Sequence, residues 1–394
     1  MGRIIQFIEQ LGNGSYKCYN TKKILLDSND NDSIVYNYDD KTPSTSNRNE
    51  FAETNRSRVH TVSLSDMVSG KHFSSLFHFF LDGFRHTYKI DDIGIAKKIY
   101  PIVAGQIIVG CCERVNRDTF RKEKLLNKIV ISMPDDFDEY DGGDNFCRSF
   151  CEKINLELAK NIFFKERNIN ISNLLLYRTY MATDLDKDNY KNRAVAKIQN
   201  EMTDEEQRMV ATLCKENKLD DSNWLIKDGS LEYSPSFTNM NSVTWNNYRD
   251  NYRHVVGVSK MFDPELMTDF EGNRLAKTIA SLKPFERTKV YRYKKEYGSG
   301  ETAYYAIWYL RLRNSNFRDT CFSDIVKCEM VLMKDNDNID SDLVDTISAS
   351  LIKEAYPVCY GSDARWANHL YPVYLTESFC KSNYLNSEIF KNLF

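Results

Sequence analysis

The sequence predicts an α/β protein, a mixed sheet containing an antiparallel meander with flanking helices, and three stretches carry that expectation. Between His72 and Ser132, apolar and β-branched runs follow one another with short connections, as in an antiparallel meander. From Asn189 to Asn217, Ala194, Ile198, Met202, Met209 and Leu213 recur at helical spacing, which marks an amphipathic helix. Two later short runs, Trp224-Leu225-Ile226 and His254 to Lys260, read as buried strands.

The elements follow in order. Residues 1–26 alternate loosely and read as a small β element. Asp27 to Arg58 is rich in Asn, Asp, Ser and Thr and reads as a polar loop or linker. Ser74 to Leu81 leads into Asp82-Gly83. His86 to Ile90, Tyr100 to Cys112 and Asn127 to Ser132 are the next strands. Pro134 to Asp144 is an acidic loop whose Asp135, Asp136, Asp138 and Glu139 are expected to be solvated rather than metal-bound. Asp144 caps a helix to about Phe164, with Phe146, Phe150 and Ile154 on one face. Asp263-Pro264 carries the cap and N1 proline of a further helix. Lys289 to Tyr297 and Thr302 to Arg313 flank Gly298-Ser299-Gly300 as a hairpin. Ser341 to Ala355 is an amphipathic helix, and Leu370 to Leu375 precedes a terminal one.

Composition removes several function classes. The chain has 394 residues and a net charge of −3, so any nucleic-acid partner must be held by a local basic patch or a metal. The ten cysteines contain no Cys-x-x-Cys pair, which argues against a zinc ribbon and for a reduced, cytoplasmic protein. The first residues lack the apolar core of a signal peptide. The longest apolar stretch, Tyr100 to Cys112, is broken by Gln106 and falls short of the roughly 20 residues that span a bilayer.

Chemistry is suggested by a repeated pattern. Phe79-Phe80-Leu81-Asp82-Gly83 and Trp224-Leu225-Ile226-Lys227-Asp228-Gly229 are both apolar runs ending in Asp-Gly. Each is either a hairpin turn or a strand end that holds a carboxylate. Two such carboxylates converging in one sheet would repel unless a cation lay between them, and hard divalent ions prefer oxygen ligands. Glu205 and Glu206 lie within the apolar stripe of the long helix, and Glu201 at its margin. They sit either at the solvated edges of a narrow stripe or, paired or bound to a metal, inside it. Lys260 ends the third strand, where it faces solvent or a phosphate.

The order of these parts resembles the NurA nuclease family. The residues that carry the likeness are Leu81-Asp82-Gly83, the strands up to Ile131, the helix with Glu205 and Glu206, Leu225-Ile226-Lys227-Asp228-Gly229-Ser230-Leu231, Val258-Ser259-Lys260 and Tyr371-Pro372-Val373-Tyr374-Leu375. They span roughly residues 75 to 385. The resemblance implies an RNase H-like core over residues 71–394, with helical insertions at about 134–222 and an unassigned segment 1–70. It implies a deoxyribonuclease, an exonuclease or end-processing enzyme, that uses Mn²⁺ or Mg²⁺ in a two-metal site. It also implies a homodimer that works on DNA with a hexameric HerA-type ATPase, in repair or phage defence. Carried over, Asp82, Asp228 and either Glu206 or Glu205 are the catalytic metal ligands. Lys260 and Tyr371 are catalytic residues that also contact substrate, joined by Ser230 and His369. One departure stands out. Phe379 occupies the position of the family histidine, and His369 or Glu377 is the nearby candidate for its role. The alternative reading is a catalytically weak or inactive DNA-binding or scaffold subunit of such a complex. A third holds that both Asp-Gly pairs are only turns, with Asp82 and Asp228 far apart.

Overall fold

A computed structural model describes residues 2–27, 51–55, 61–70, 74–116, 119–137, 143–180, 190–232, 242–264, 268, 272–296, 302–313, 320–358 and 366–394. Asp138, Glu139, the tip Gly298-Ser299-Gly300 and most of the polar loop from Asp27 to Arg58 lie outside the described residues.

The molecule is built on one mixed sheet. Its centre is the predicted meander: β4 (Phe77–Ile95), β5 (Lys98–Arg114) and β6 (Phe120–Pro134) pair antiparallel in sequence order. Here the expectation needs its first correction. The strand does not end at Asp82-Gly83; β4 runs straight through it and includes the segment His86–Ile90 that reads as a separate strand. Antiparallel pairing of Asp82 with Gly110 and of Gly83 with Val109 continues the ladder across this point, so no turn can form there.

On the other side of β4 lie β8 (Trp224–Asp228) and β9 (Val255–Ser259), both parallel to it. The sheet continues antiparallel through β13 (Ile325–Leu332), β12 (Thr302–Arg311) and β10 (Glu286–Thr288), and β11 (Tyr291–Glu296) joins β12 as the predicted hairpin. Beyond β6 the sheet gains β7 (Ile171–Tyr177), a parallel strand that no motif announced.

Side chains alternate across a strand, and the two faces bury different clusters. Phe79, Leu81 and Leu225 join the cluster under α5 (Tyr190–Lys215), with Ile198, Met202 and Met209. Phe80, Ile226 and Val258 join the opposite cluster, with Ile347 and Leu351 of α8 (Ser341–Glu354) and Val373 of α9 (Tyr371–Lys381). The run Leu370 to Leu375 is itself helical from Tyr371: α9 starts within it, with Pro372 in its first turn, where a missing N–H costs nothing.

The N-terminal segment differs from the expected β element. It opens with a helix, α1 (Arg3–Leu11), whose Ile4, Ile5 and Ile8 are buried. Only then come the short strands β1 (Tyr16–Cys18) and β2 (Ile24–Leu25), both paired to the far half of β4. Asp27 accepts an ion-pairing hydrogen bond from Arg85 at 2.5 Å, so this segment is fastened to the central strand. Downstream, the helix expected to about Phe164 is two helices, α3 (Gly143–Ala159) and α4 (Ile162–Glu166). Asp135 and Asp136 accept from Thr179 Oγ1 at 2.6 and 2.8 Å and so tie a loop rather than point only to water. Among the described residues the helix nearest Asp263-Pro264 begins at Ala276; residues 265–267 and 269–271 lie outside them. Every described cysteine is a free thiol, and no described helix is long and apolar enough to cross a membrane.

Candidate active site

Asp82 and Asp228 do come together. In the parallel β4–β8 register Leu81 faces Lys227, which places Asp82 and Asp228 one step further on neighbouring strands. They share the face of Phe80 and Ile226, the face that α9 covers. The reading in which both Asp-Gly pairs are distant turns is thereby excluded.

Lys260, the residue after β9, reaches the same place. Its ammonium lies 2.7 Å from Asp228 Oδ2 and 3.8 Å from Glu377 Oε2 on α9, and Glu377 in turn holds Lys381 at 2.5 Å. His369 Nδ1 is 3.5 Å from Lys260 Nζ and 4.0 Å from Glu377 Oε2. Asn368 fixes this segment: its Nδ2 donates to Lys260 O at 3.0 Å and Ile325 O at 2.8 Å, and its Oδ1 accepts from Asp324 N at 2.9 Å. Sequence reasoning missed Asn368, because nothing in its local sequence reveals three distant partners.

Gly110 explains how α9 comes so close. It stands opposite Asp82 on β5, and a Cβ there would strike Cys380 Sγ of α9. The glycine lets the helix lie on the sheet, and Glu377, one turn before Cys380, is thereby brought over Asp82.

The charges at this point are poorly matched. Asp82 is 4% exposed, and its Oδ2 has no hydrogen-bond partner among the described residues. Burial pushes the Asp82 carboxyl well above the usual carboxylate range; Asp228, Glu377 and Glu206 push the same way, and Lys260 opposes them. Burial also acts to raise Asp228, but Lys260, with help from Lys227 and a hydrogen bond from Asp82, holds it below the usual range. Two buried carboxyls side by side cannot both ionise cheaply, and of the two Asp82 is the one pushed toward its protonated form. Burial would lower the Lys260 pKa, yet Asp228, Asp82 and Glu377 outweigh it and raise it.

The helix glutamates go elsewhere. Glu206 lies against Gly83, where any Cβ would collide with its carboxylate, and pairs with Lys227 at 3.2 Å. Gly83 and Lys227 point to the α5 face, opposite Asp82 and Asp228. Burial raises the Glu206 carboxyl, the Lys227 ammonium draws it back, and Asp228 adds to the rise. Glu205 pairs with Lys128 at 2.5 Å and with Arg208. Glu201 accepts from Lys128 at 3.1 Å and from Asn173 at 2.6 Å. None of the three sits at a solvated edge; all are buried and paired.

The rest of the Asp-Gly-Ser-Leu stretch shapes the backbone. Gly229 has φ of 86°, a left-handed conformation that glycine adopts freely. The chain then folds back so that Leu231 packs on Gly257, where a Cβ would lie 2.6 Å from Leu231 Cγ. Ser230 Oγ donates toward the Glu329 carboxylate at 2.8 Å, and Leu231 N donates to it at 2.6 Å. Ser230 thus serves a buried carboxylate. Tyr371 is half-buried in the first turn of α9, about 9 Å along the helix axis from Glu377 at 1.5 Å per residue. Phe379 is half-buried near Gly110.

A hard divalent cation fits the donors in kind, since Asp82 and Asp228 offer carboxylate oxygens and one of them is orphaned. In number they do not fit: among the described residues no three His, Cys, Asp or Glu side chains are placed to hold a metal ion.

No protein-family model matches the sequence, and no curated protein matches it.

Proposed function

We propose that this chain is a metal-dependent deoxyribonuclease that hydrolyses phosphodiester bonds at the Asp82–Asp228 pair. The observation that carries the reading is the orphaned, buried Asp82 Oδ2 beside Asp228 and the Lys260 ammonium. A protein keeps such a mismatched group at a cost in stability, and sites of this kind concentrate where function needs them.

Each residue then has a task. Asp82 and Asp228 would hold the cation, Mn²⁺ or Mg²⁺, which when bound supplies electrophilic polarisation of the phosphate and acidifies a water. Lys260, oriented by Asp228, neutralises a non-bridging phosphate oxygen. The apolar walls formed by Phe80, Ile226 and Val258 lower the local dielectric, which strengthens each of these interactions. Two-metal chemistry requires a further carboxylate on this face. The NurA-like order of motifs supports DNA as substrate, a homodimer, and a HerA-type ATPase as partner. Tyr371 and Phe379 are then α9 residues flanking the site.

A second reading is a scaffold subunit that has lost cleavage. It is favoured by the short Lys260–Asp228 ion pair and by Phe379 at the family's histidine position. One assay separates the two: linear single- and double-stranded DNA with Mn²⁺, Mg²⁺ or EDTA, wild type beside Asp228→Ala. The nuclease reading expects cation-dependent cleavage that the variant loses. An inert wild type, even with a cognate HerA-type ATPase added, leaves the scaffold.

A further inference from the structure

We propose that a cavity at the other end of β8 from Asp228 binds a free apolar α-amino acid as its zwitterion, with the ligand's carboxylate on Arg253 and its ammonium on Asp337. The inference is independent of the nuclease reading. Trp224, which lines the cavity, begins β8, and Asp228 ends it, roughly 13 Å away along the strand.

The cavity has a volume of about 330 Å³ and lies among the starts of β8 and β9, the end of β13 and the loop that leads into α8. At roughly 30 Å³ per water-sized group it holds about ten non-hydrogen atoms, at the small end of ligand sites. Its floor is apolar. Trp224, Met330 and Leu332 are buried there, and Leu343 of α8 packs against the same cluster. The Trp224 indole N–H already donates to Asp221 O at 3.1 Å, so the ring offers only apolar surface.

Most polar groups around this floor are already engaged. His254 Nε2 meets Asp221 Oδ1 at 2.9 Å. Asp340 caps α8 by accepting from Asp342 N. Asn338 Oδ1 accepts from Arg292 Nη2 at 2.8 Å. Two charges are left over: the Arg253 guanidinium and the Asp337 carboxylate have no ion pair or side-chain hydrogen bond among the described residues, with each other or with any other group. Asp337 is nevertheless held in place by its backbone, since its N–H donates to Lys334 O at 3.2 Å and its carbonyl accepts from Arg292 Nη2 at 2.8 Å. One cavity thus carries a free cation and a free anion that do not neutralise each other. A neutral apolar molecule would leave both charges unanswered, and a simple anion or cation would leave one. A zwitterion answers both, and an apolar side chain covers the floor between them. Arg253 takes the carboxylate through its forked N–H donors, and Asp337 accepts from the ammonium.

The test follows binding to the full-length protein by ligand-observed NMR. The probes are L-phenylalanine, L-leucine, hydrocinnamate (which lacks the ammonium) and phenethylamine (which lacks the carboxylate). At least one of the two amino acids is expected to bind at millimolar concentration or below, and L-phenylalanine to bind about tenfold more tightly than either single-charge analogue. Arg253→Gln is expected to weaken L-phenylalanine about tenfold and to leave phenethylamine within about twofold of wild type. Asp337→Asn is expected to weaken L-phenylalanine about tenfold and to leave hydrocinnamate within about twofold. Thermal melts of both variants should match wild type, because neither side chain has a partner to lose. No binding of either amino acid at millimolar concentration overturns the site. An analogue that binds as tightly as L-phenylalanine overturns the zwitterion, and a variant that holds L-phenylalanine like wild type overturns the role given to its residue. None of these outcomes bears on the nuclease reading, whose test is cleavage.

Discussion

The two faces of the sheet at Asp82-Gly83 solve the same problem in opposite ways. On the α5 face every buried carboxylate named here has an answering cation. Glu206 meets Lys227 at 3.2 Å, Glu329 meets Lys327 at 2.7 Å, and Glu232 lies 3.6 Å from both Lys327 and Lys295. Ser230 and the Leu231 amide complete the Glu329 shell. On the α9 face Asp82, Asp228 and Glu377 gather about Lys260, and an oxygen of Asp82 is left over. A satisfied buried network rigidifies a fold. An unsatisfied one costs stability, and a protein retains it where it serves chemistry. The difference teaches that buried charge alone does not mark a site; on the proposed reading the mismatch at Asp82 does.

That comparison can be broken. Asp228→Ala should reduce cation-dependent DNA cleavage by about a thousandfold, the scale of losing one electrostatic element of a site, while thermal melting shows an intact fold. A similar loss from Glu329→Gln, measured in the same assay, would mean that the matched face is functional too. Next in size, Glu329→Ala breaks the 2.7 Å pair with Lys327 and removes the acceptor of Ser230 and the Leu231 amide, and should cost roughly 3–5 kcal/mol in urea unfolding.

Asp82→Asn should act in the other direction and stabilise the protein at neutral pH. The sign follows from its raised pKa. Stability contributed by such a carboxyl is complete below the unfolded value, near 3.9, and is lost as pH rises through the folded value. Wild type should therefore fall behind Asp82→Asn by up to about 1.4 kcal/mol per pH unit between the unfolded and the folded value, and the two urea midpoints should converge near pH 4. A gap that widens toward acid would contradict the raised Asp82 value.

Smaller effects sharpen the picture. Gly83→Ala drives a methyl into the Glu206 carboxylate and should cost about 1–3 kcal/mol by overpacking, read as a lowered melting temperature. Glu205→Gln should leave DNA cleavage within about twofold of wild type, because Glu205 faces Lys128 and Arg208.

How much of this was legible can be judged residue by residue. The meander, the long helix and the parallel strands around Asp228 follow from period and composition, because burial imposes a repeat of two or of 3.6. The repeated apolar-Asp-Gly pattern raised the convergence of Asp82 and Asp228 beside the alternative of two distant turns, and the β4–β8 register decided between them. The meaning of its glycines was not. Gly83 is no turn but the seat of a carboxylate, and only Gly229 adopts a turn conformation. The helical stripe left open whether its glutamates were solvated or buried; all three are buried and taken by lysine, arginine or asparagine partners. Those partners, Lys128, Asn173 and Lys227, lie on strands far from the helix in sequence.

The amino-acid sequence by itself determined the meander, the long helix and the short buried strands, since these depend on local pattern, and it raised the meeting of two aspartates as one of two alternatives. Only the tertiary structure decided which side of the sheet each carboxylate faces. Strand alternation sends Asp82 and Gly83 to opposite faces, and the packing of α9 against Gly110 places Glu377 and His369 beside Lys260. Those contacts join residues more than 100 positions apart, and no local pattern records them.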